Sequence, residues 1–239
     1  MLTHSFEDLA QTYRILAESY LKMKPLIMID RAEAVGTIET AANAMLNAFH
    51  NLYDLMSHSL NKPINWYAVP ELCTILAIRN ARHHNKANRI RSIYNYHNQT
   101  AKSPTDKCKY FYVDFPASRK EKGGDFLDFP ISWEDLDLFL SLPKSESRLP
   151  TSAKELVRQY INADSFELNA LKYGLKKSNI FINFAPFSLN AGIVLYPYIH
   201  KHIKPDSTEA KYFLKHFQTT GAGLTKEHEF KIISFSLPM

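Results

Sequence analysis

The chain has 239 residues, of which 45% are hydrophobic and 13% aromatic, enough to bury a substantial core, and its net charge is +5 with histidine counted as neutral. Only two cysteines and seven glycines are present, which excludes a disulfide-stapled scaffold and favours long helices. The first residues lack the basic start and apolar run of a signal peptide, and no apolar run of about 18 residues follows. We therefore expect a cytoplasmic protein that does not associate with a membrane.

Three amphipathic helices are predicted in the first hundred residues. Ser5 is placed to cap the first helix, which should end by Pro25. The second helix should run from about Arg31 to Leu60. Its apolar stripe is formed by Ala41, Ala42, Met45, Leu46, Phe49, Leu52, Tyr53 and Met56. Pro70 suits the first turn of a third helix, which begins apolar and turns polar.

Strands and helices alternate in the rest of the chain. Strands are predicted at 107–113 and 230–235, and their pairing would fold the end of the chain back onto its first half. Helix starts are predicted at Ser132, Ser152 and Asp206, because each is followed three residues later by an acidic residue.

These elements predict a mainly α fold, a helical bundle with a small β element in the C-terminal half. We expect a single domain over residues 1–239. Within it, residues 1–100 should form the motif-bearing helical core, and residues 104–239 should pack on it as an α+β remainder. The segment KEKGGD, at 120–125, is typical of an exposed turn, and residues 221–223 are typical of a helix C-cap and turn.

A long stretch without acidic residues holds the candidate functional residues. No aspartate or glutamate occurs from Leu72 to Thr105, although the chain has 24 of them. The stretch contains the cations Arg79, Arg82, Lys86, Arg89, Arg91 and Lys102. Basic runs are commonly solvated helix faces, but such faces usually intersperse both signs of charge. We therefore expect an external anion, and phosphate fits the planar fork of arginine. Tyr94 and Tyr96 either pack in the core or stack on exposed bases. The combination of cations and tyrosines favours RNA over a small metabolite as the bound anion.

One motif in this stretch has a recognisable form. The residues Arg79-Asn80-Ala81-Arg82-His83-His84 follow the order Arg, polar residue, three residues, His. This resembles the R-x(4–6)-H signature of the HEPN superfamily (higher eukaryotes and prokaryotes nucleotide-binding), in the form in which Asn follows the Arg. The resemblance covers the motif and the two helices before it. The segment from Arg91 to His97 fits the same expression.

The resemblance implies a metal-independent endoribonuclease without a cofactor, in which two copies of a helical domain bring their Arg and His residues to a shared cleft. It assigns proton transfer to His84, transition-state stabilisation to Arg79, and orientation of the phosphate or imidazole to Asn80. Such domains serve as toxins or antiviral abortive-infection effectors. That role implies RNA as substrate, a homodimer, and an antitoxin or other regulatory protein as partner.

The chemistry of these residue types agrees with RNA cleavage. Histidine titrates near neutral pH and transfers protons, whereas arginine stays charged and binds phosphate oxygens as charge develops on them. At about 100° per residue, His84 lies roughly 140° from Arg79 around a helix and His83 only about 40°. His83 is therefore the alternative catalytic histidine. The predicted RNA-binding residues are Arg82, Lys86, Arg89 and Arg91.

Two other functions fit the same residues. One is a non-catalytic HEPN-like module that binds RNA or a nucleotide through the basic stretch. The other is a helical protein-interaction domain whose basic stretch docks on an acidic protein surface.

Overall fold

A computed structural model of the chain describes residues 1–60, 64–84, 90–115, 127–220 and 228–238, with the side chain of His84 outside the description. The predicted turn at 120–125, the predicted C-cap at 221–223, Lys86 and Arg89 all lie outside the described residues.

The described residues form a mainly helical protein with a four-stranded sheet, which confirms the predicted fold class. The helices are α1 (Leu2–Leu26), α2 (Arg31–Ser59), α3 (Pro70–His84), α4 (Ile93–Thr100), α5 (Trp133–Leu140), α6 (Lys144–Ser147), α7 (Ala153–Tyr160), α8 (Ala163–Lys172), α9 (Phe184–Ile199) and α10 (Thr208–Thr219). The strands are β1 (Cys108–Asp114), β2 (Pro130–Ser132), β3 (Ile180–Asn183) and β4 (Glu229–Phe235). Strand β1 lies just before the midpoint of the chain, and the other three strands lie in its C-terminal half.

The sheet has the strand order β2-β3-β1-β4. Strand β1 runs parallel to β3 and antiparallel to β4, with Tyr110 opposite Ile233. Both predicted strands are therefore present, and they pair with each other. Residues Tyr110 to Val113 are all buried, because the central strand is covered on both faces, which explains its continuous apolar sequence.

The helix boundaries confirm some predicted caps and correct others. Ser132 accepts a hydrogen bond from the Asp135 backbone N–H at 3.3 Å and begins α5 as expected. Helix α1, however, begins at Leu2, so Ser5 lies inside the helix, where it is buried. Pro25 occupies the last turn of α1 and does not end it. Helix α10 is capped by Ser207, one residue after the predicted Asp206, because Ser207 accepts from the Ala210 N–H.

One contiguous hydrophobic core contains side chains from both the first hundred residues and the rest of the chain. Helices α1 and α2 are joined by a short connection and pack along each other, while α10 packs on α1 and α9 packs on α3. Every residue of α3 from Leu72 to Ile78 is buried. Helix α3 is thus a central helix of the core. Among the described residues, no helix is both long and apolar enough to span a bilayer.

Candidate functional site

The motif residues occupy the last turns of α3, as predicted, but they do not form an exposed polar face. Arg79 is half-buried, Asn80 is 4% exposed, and His83 is exposed. The Arg79 Nη1 atom donates a hydrogen bond to Asn80 Oδ1 at 3.2 Å, which ties the first two motif residues together. Helix α3 ends at His84. The geometry therefore joins Arg79 to Asn80 and leaves open which histidine acts with them.

Arg79 belongs to a polar cluster that brings together separate parts of the chain. The ionisable side chains that act on its guanidinium are Asp54 of α2, Arg148 directly after α6, and Tyr67 of a short 3-10 turn at Trp66–Ala68. Arg79 acts in turn on His50 of α2. We call these residues, with Asn80, the Arg79 cluster.

The electrostatics of the Arg79 cluster are unusual because two cations share it. Burial lowers the pKa of the Arg79 guanidinium, Asp54 partly offsets this effect, and the positive charge of Arg148 lowers the pKa further. Arg148 is exposed and adopts a left-handed backbone with φ of 58°, a conformation that is uncommon for residues other than glycine. Arg79 and Arg148 are thus two cations that act on each other, and Asp54 is a carboxylate that acts on Arg79.

Arg82 was predicted to bind RNA, but its charge is already neutralised inside the protein. Its side chain is 7% exposed and forms an ion pair with Glu39 of α2. Its Nε atom also donates to Asn43 Oδ1 at 2.6 Å, and the guanidinium lies 5.7 Å from the Phe129 ring centroid. This placement argues against Arg82 as a phosphate ligand, because contact with RNA would require breaking a buried ion pair.

Arg91 and His97, the second match to the motif expression, also have internal partners. Arg91 donates from Nε and Nη2 to the two carboxylate oxygens of Asp135, at 2.8 and 2.7 Å. These hydrogen bonds, opposed by burial, raise the pKa of Arg91. His97 is fully buried, with Nδ1 at 2.9 Å from the Tyr110 hydroxyl and Nε2 at 2.9 Å from the Pro104 carbonyl oxygen. Both residues therefore have structural roles here, which argues against Arg91 as an RNA ligand.

The two tyrosines of the basic stretch pack against the protein. Tyr94 packs against Phe235 of β4, with ring centroids 5.8 Å apart. Tyr96 contacts Phe181 at 5.3 Å, and the Arg91 guanidinium lies 4.6 Å from its ring centroid. Of the two possibilities open from the sequence, core packing is the one found. The absence of acidic residues from Leu72 to Thr105 has an internal explanation as well, since Glu39 and Asp135 approach from other helices.

The structure adds four residues that the sequence did not single out, His50, Asp54, Tyr67 and Arg148. One local signal existed, because His50 and Asp54 are four residues apart on α2 and such residues are neighbours on a helix surface. Arg148 and Tyr67 had no such signal, since only the tertiary fold brings them to Arg79.

No group of three or more His, Cys, Asp or Glu side chains is placed to hold a metal ion in the part of the chain that the structure describes. A separate charged network, formed by Asp137, Arg158, Asp164, Glu167 and Lys177, joins α5, α7, α8 and the residues before β3. Its cations and carboxylates pair with each other, so we regard it as structural.

Comparison of the chain with protein-family models, with curated proteins and with solved structures gives no match. The resemblance to the HEPN superfamily therefore depends on the motif and the helices before it alone.

Proposed function

We propose that this protein is a metal-independent endoribonuclease of the HEPN type, with its active site at the Arg79 cluster. The observation that supports this most directly is the position of Arg79 and Asn80, which are hydrogen-bonded to each other in the last turns of α3, with the positive charge of Arg148 acting on Arg79. Two like charges repel, and a bound phosphate between them would turn that repulsion into attraction. A phosphodiester is the ligand that the motif chemistry also favours.

Each residue of the site has a defined task in this proposal. Arg79 and Arg148 bind the scissile phosphate and stabilise the charge that develops on its oxygens. Asn80 is buried, so it acts by holding Arg79 in position through the Arg79–Asn80 hydrogen bond. His84, with His83 as the alternative, gives a proton to the departing 5′-oxygen. The second proton-transfer group, which takes the proton of the 2′-hydroxyl, comes from a second copy of the chain if the resemblance extends to the assembly.

The test is cleavage of a fluorescent single-stranded RNA in the presence of EDTA. We expect wild-type protein to cleave it, and we expect His84→Ala to lower kcat/KM by about 10² to 10⁴-fold. Arg79→Ala should lower it by about 10² to 10³-fold. His83→Ala is the matched control, adjacent in sequence and identical in chemistry. If His83→Ala abolishes cleavage and His84→Ala does not, the alternative histidine is the catalytic one.

A non-catalytic module that binds RNA or a nucleotide is the second candidate, because two arginines that act on each other would support phosphate binding without any proton transfer. This function predicts RNA binding that weakens steeply as salt rises, without cleavage by the wild type. A role as toxin or antiviral effector, a homodimer and a regulatory protein partner remain predictions from the resemblance.

A further inference from the structure

Strand β4 forms one open edge of the sheet. It pairs with β1 over seven consecutive residues, from Glu229 opposite Asp114 to Phe235 opposite Cys108. In the part of the chain that the structure describes, no other strand pairs with β4. None of its seven residues is buried. An edge strand presents a row of backbone N–H and C=O groups with which another strand can pair.

The opposite edge of the sheet is closed. Strand β2 is buried throughout, and its Ile131 forms a bridge with Ser92. The Ser132 backbone N–H donates to the Arg91 carbonyl oxygen at 2.8 Å. The two edges therefore differ, because the residues before α4 cover β2, whereas no segment among the described residues pairs with the outer side of β4.

Strand β4 lacks the features that usually keep an edge strand from pairing. Edge strands are protected by proline, by a β-bulge or by lysine side chains. The strand Glu229–Phe235 contains no proline, and its pairing with β1 is continuous, without a bulge. Its single lysine, Lys231, lies with Nζ 4.6 Å from the ring centroid of Tyr112 on β1. The ammonium group is thus held over the sheet and does not project beyond the edge.

Apolar side chains line the same edge. Phe230 and Ile232 are 38% and 42% exposed, although Phe230 stacks on Phe111 of β1 with ring centroids 4.8 Å apart. Tyr173, directly after α8, is 56% exposed and contacts Phe230 with ring centroids 5.9 Å apart. Exposed apolar side chains that adjoin one another mark surfaces that bind other proteins. The edge of β4 therefore combines unpaired backbone groups with an apolar surface.

The charges of β4 are arranged to pair with a second copy of the same strand. Two identical antiparallel strands meet about a twofold axis, so each residue faces the residue equally far beyond the axis. With Phe230 on the axis, Glu229 of each copy faces Lys231 of the other, which gives two pairs of opposite charge. With Lys231 on the axis two lysines would face each other, and with Ile232 on the axis both charges would face apolar residues. Charge complementarity therefore selects Phe230 as the axis.

We propose that β4 is the interface between two copies of this chain, which pair antiparallel about Phe230 and join two four-stranded sheets into one continuous sheet. Phe230 of each copy then packs against Phe230 of the other, on the face of the sheet where Tyr173 lies. The inference goes beyond the proposed ribonuclease function and does not depend on it, because it rests on the edge of β4 and not on the Arg79 cluster.

The first experiment exchanges the two charges. Sedimentation velocity over a range of protein concentrations gives the Kd of the wild-type dimer. We expect Glu229→Lys and Lys231→Glu each to raise this Kd by about tenfold, because each places like charges opposite each other twice. Combining both substitutions in one chain should return the Kd to near the wild-type value.

The control for net charge is Lys109→Glu, which reverses an exposed lysine of β1 and should leave the Kd unchanged. Two results would overturn the inference. One is a wild-type protein that stays monomeric at its highest soluble concentration. The other is a double variant that dimerises as weakly as the single variants.

The second experiment tests the position of the axis by cross-linking. Directly opposed residues of antiparallel strands have Cα atoms about 4.5–5.5 Å apart, within the range of about 4.4–6.8 Å that a disulfide spans. Oxidised Phe230→Cys protein should therefore migrate as a covalent dimer on a non-reducing gel. Ile232→Cys is the matched control, because its two thiols would lie about 14 Å apart along the strands. Both are made with Cys108→Ser, since the other native cysteine, Cys73, is buried.

The outcomes distinguish the interface from the proposed function. A covalent dimer from Ile232→Cys but not from Phe230→Cys would overturn the register on which the inference depends. If β4 pairs as described and folded wild-type protein does not cleave RNA, the ribonuclease function fails and the interface stands. If the wild type cleaves RNA but neither dimerises nor cross-links through Phe230→Cys, only the interface is overturned.

Discussion

Two stretches of this chain, Arg79 to His84 and Arg91 to His97, fit the same motif expression, but the protein uses them differently. Arg91 is neutralised by Asp135, which raises the pKa of its guanidinium, whereas burial and Arg148 lower the pKa of Arg79. His97 has both ring nitrogens occupied in the core. The spacing of Arg and His therefore does not define a site. What separates the two stretches is the burial of the carboxylate beside the arginine: Asp135, which pairs with Arg91, is 1% exposed, whereas Asp54, which acts on Arg79, is 53% exposed.

The largest difference between the two arginines should appear in stability. Arg91→Ala leaves Asp135, which is 1% exposed, as a buried carboxylate without its cation. We expect a loss of roughly 3–5 kcal/mol in the free energy of unfolding, measured by urea denaturation. Arg79→Ala is the control and should lose much less, since Asp54, the carboxylate that acts on Arg79, is 53% exposed. Equal losses in the two variants would contradict the distinction drawn between them.

The next effect concerns RNA affinity and tests whether Arg148 of the Arg79 cluster binds RNA phosphate. Arg148→Ala should weaken binding of a non-cleaved RNA analogue by about 1.5–3 kcal/mol, the usual contribution of a hydrogen bond to a charged group. The slope of log K against log salt concentration should become shallower by about one, the change expected when one phosphate contact is lost. Fluorescence anisotropy at several salt concentrations measures both quantities. Lys144→Ala, an exposed cation of the neighbouring α6, should change neither quantity. Equal effects from both variants would indicate only general charge attraction.

The smallest effect concerns the charged network around Arg158, in which cations and carboxylates pair with each other as Arg91 pairs with Asp135. This network should make the stability of the protein depend on pH. Burial would raise the pKa of Asp137, but its hydrogen bonds to Lys177 and Arg158 outweigh burial and lower the pKa. A carboxylate with a lowered pKa stabilises the protein above its unfolded pKa and loses that effect as pH falls. The free energy of unfolding should therefore decrease below about pH 4.

The variant Asp137→Asn tests this pH dependence. We expect it to be less stable than the wild type at pH 7 and to show a shallower decrease in stability between pH 5 and 3, measured by urea denaturation. If the free energy of unfolding decreases equally in both proteins as pH falls, other carboxylates cause the loss of stability at acid pH.

Much of the fold was predictable because its signals are local. The apolar stripe of α2, the proline at the start of α3 and the cap at Ser132 each depend on residues a few positions apart. The start of α1 was misplaced, because Ser5 carries the side chain of a good cap but is buried inside the helix. At Asp206, the neighbouring Ser207 accepts the capping hydrogen bond.

The candidate site was predictable only in part, because charge compensation in space does not follow charge counts along the chain. The stretch from Leu72 to Thr105 has cations but no acidic residue in sequence, whereas in the fold Glu39 and Asp135 reach it from α2 and α5. Two predicted RNA ligands, Arg82 and Arg91, therefore form ion pairs within the protein. Arg148 joins the site from a distant position, which no spacing within the motif could indicate.

The burial of α3 has a consequence for how the Arg79 cluster would be lost on heating. Since every residue from Leu72 to Ile78 is inside the core, this helix cannot detach while the rest of the molecule stays folded. Arg79 and His50 sit on two helices, α3 and α2, that pack against each other in that same core. The geometry of the cluster should therefore persist up to the global unfolding transition and disappear with it, in one cooperative step.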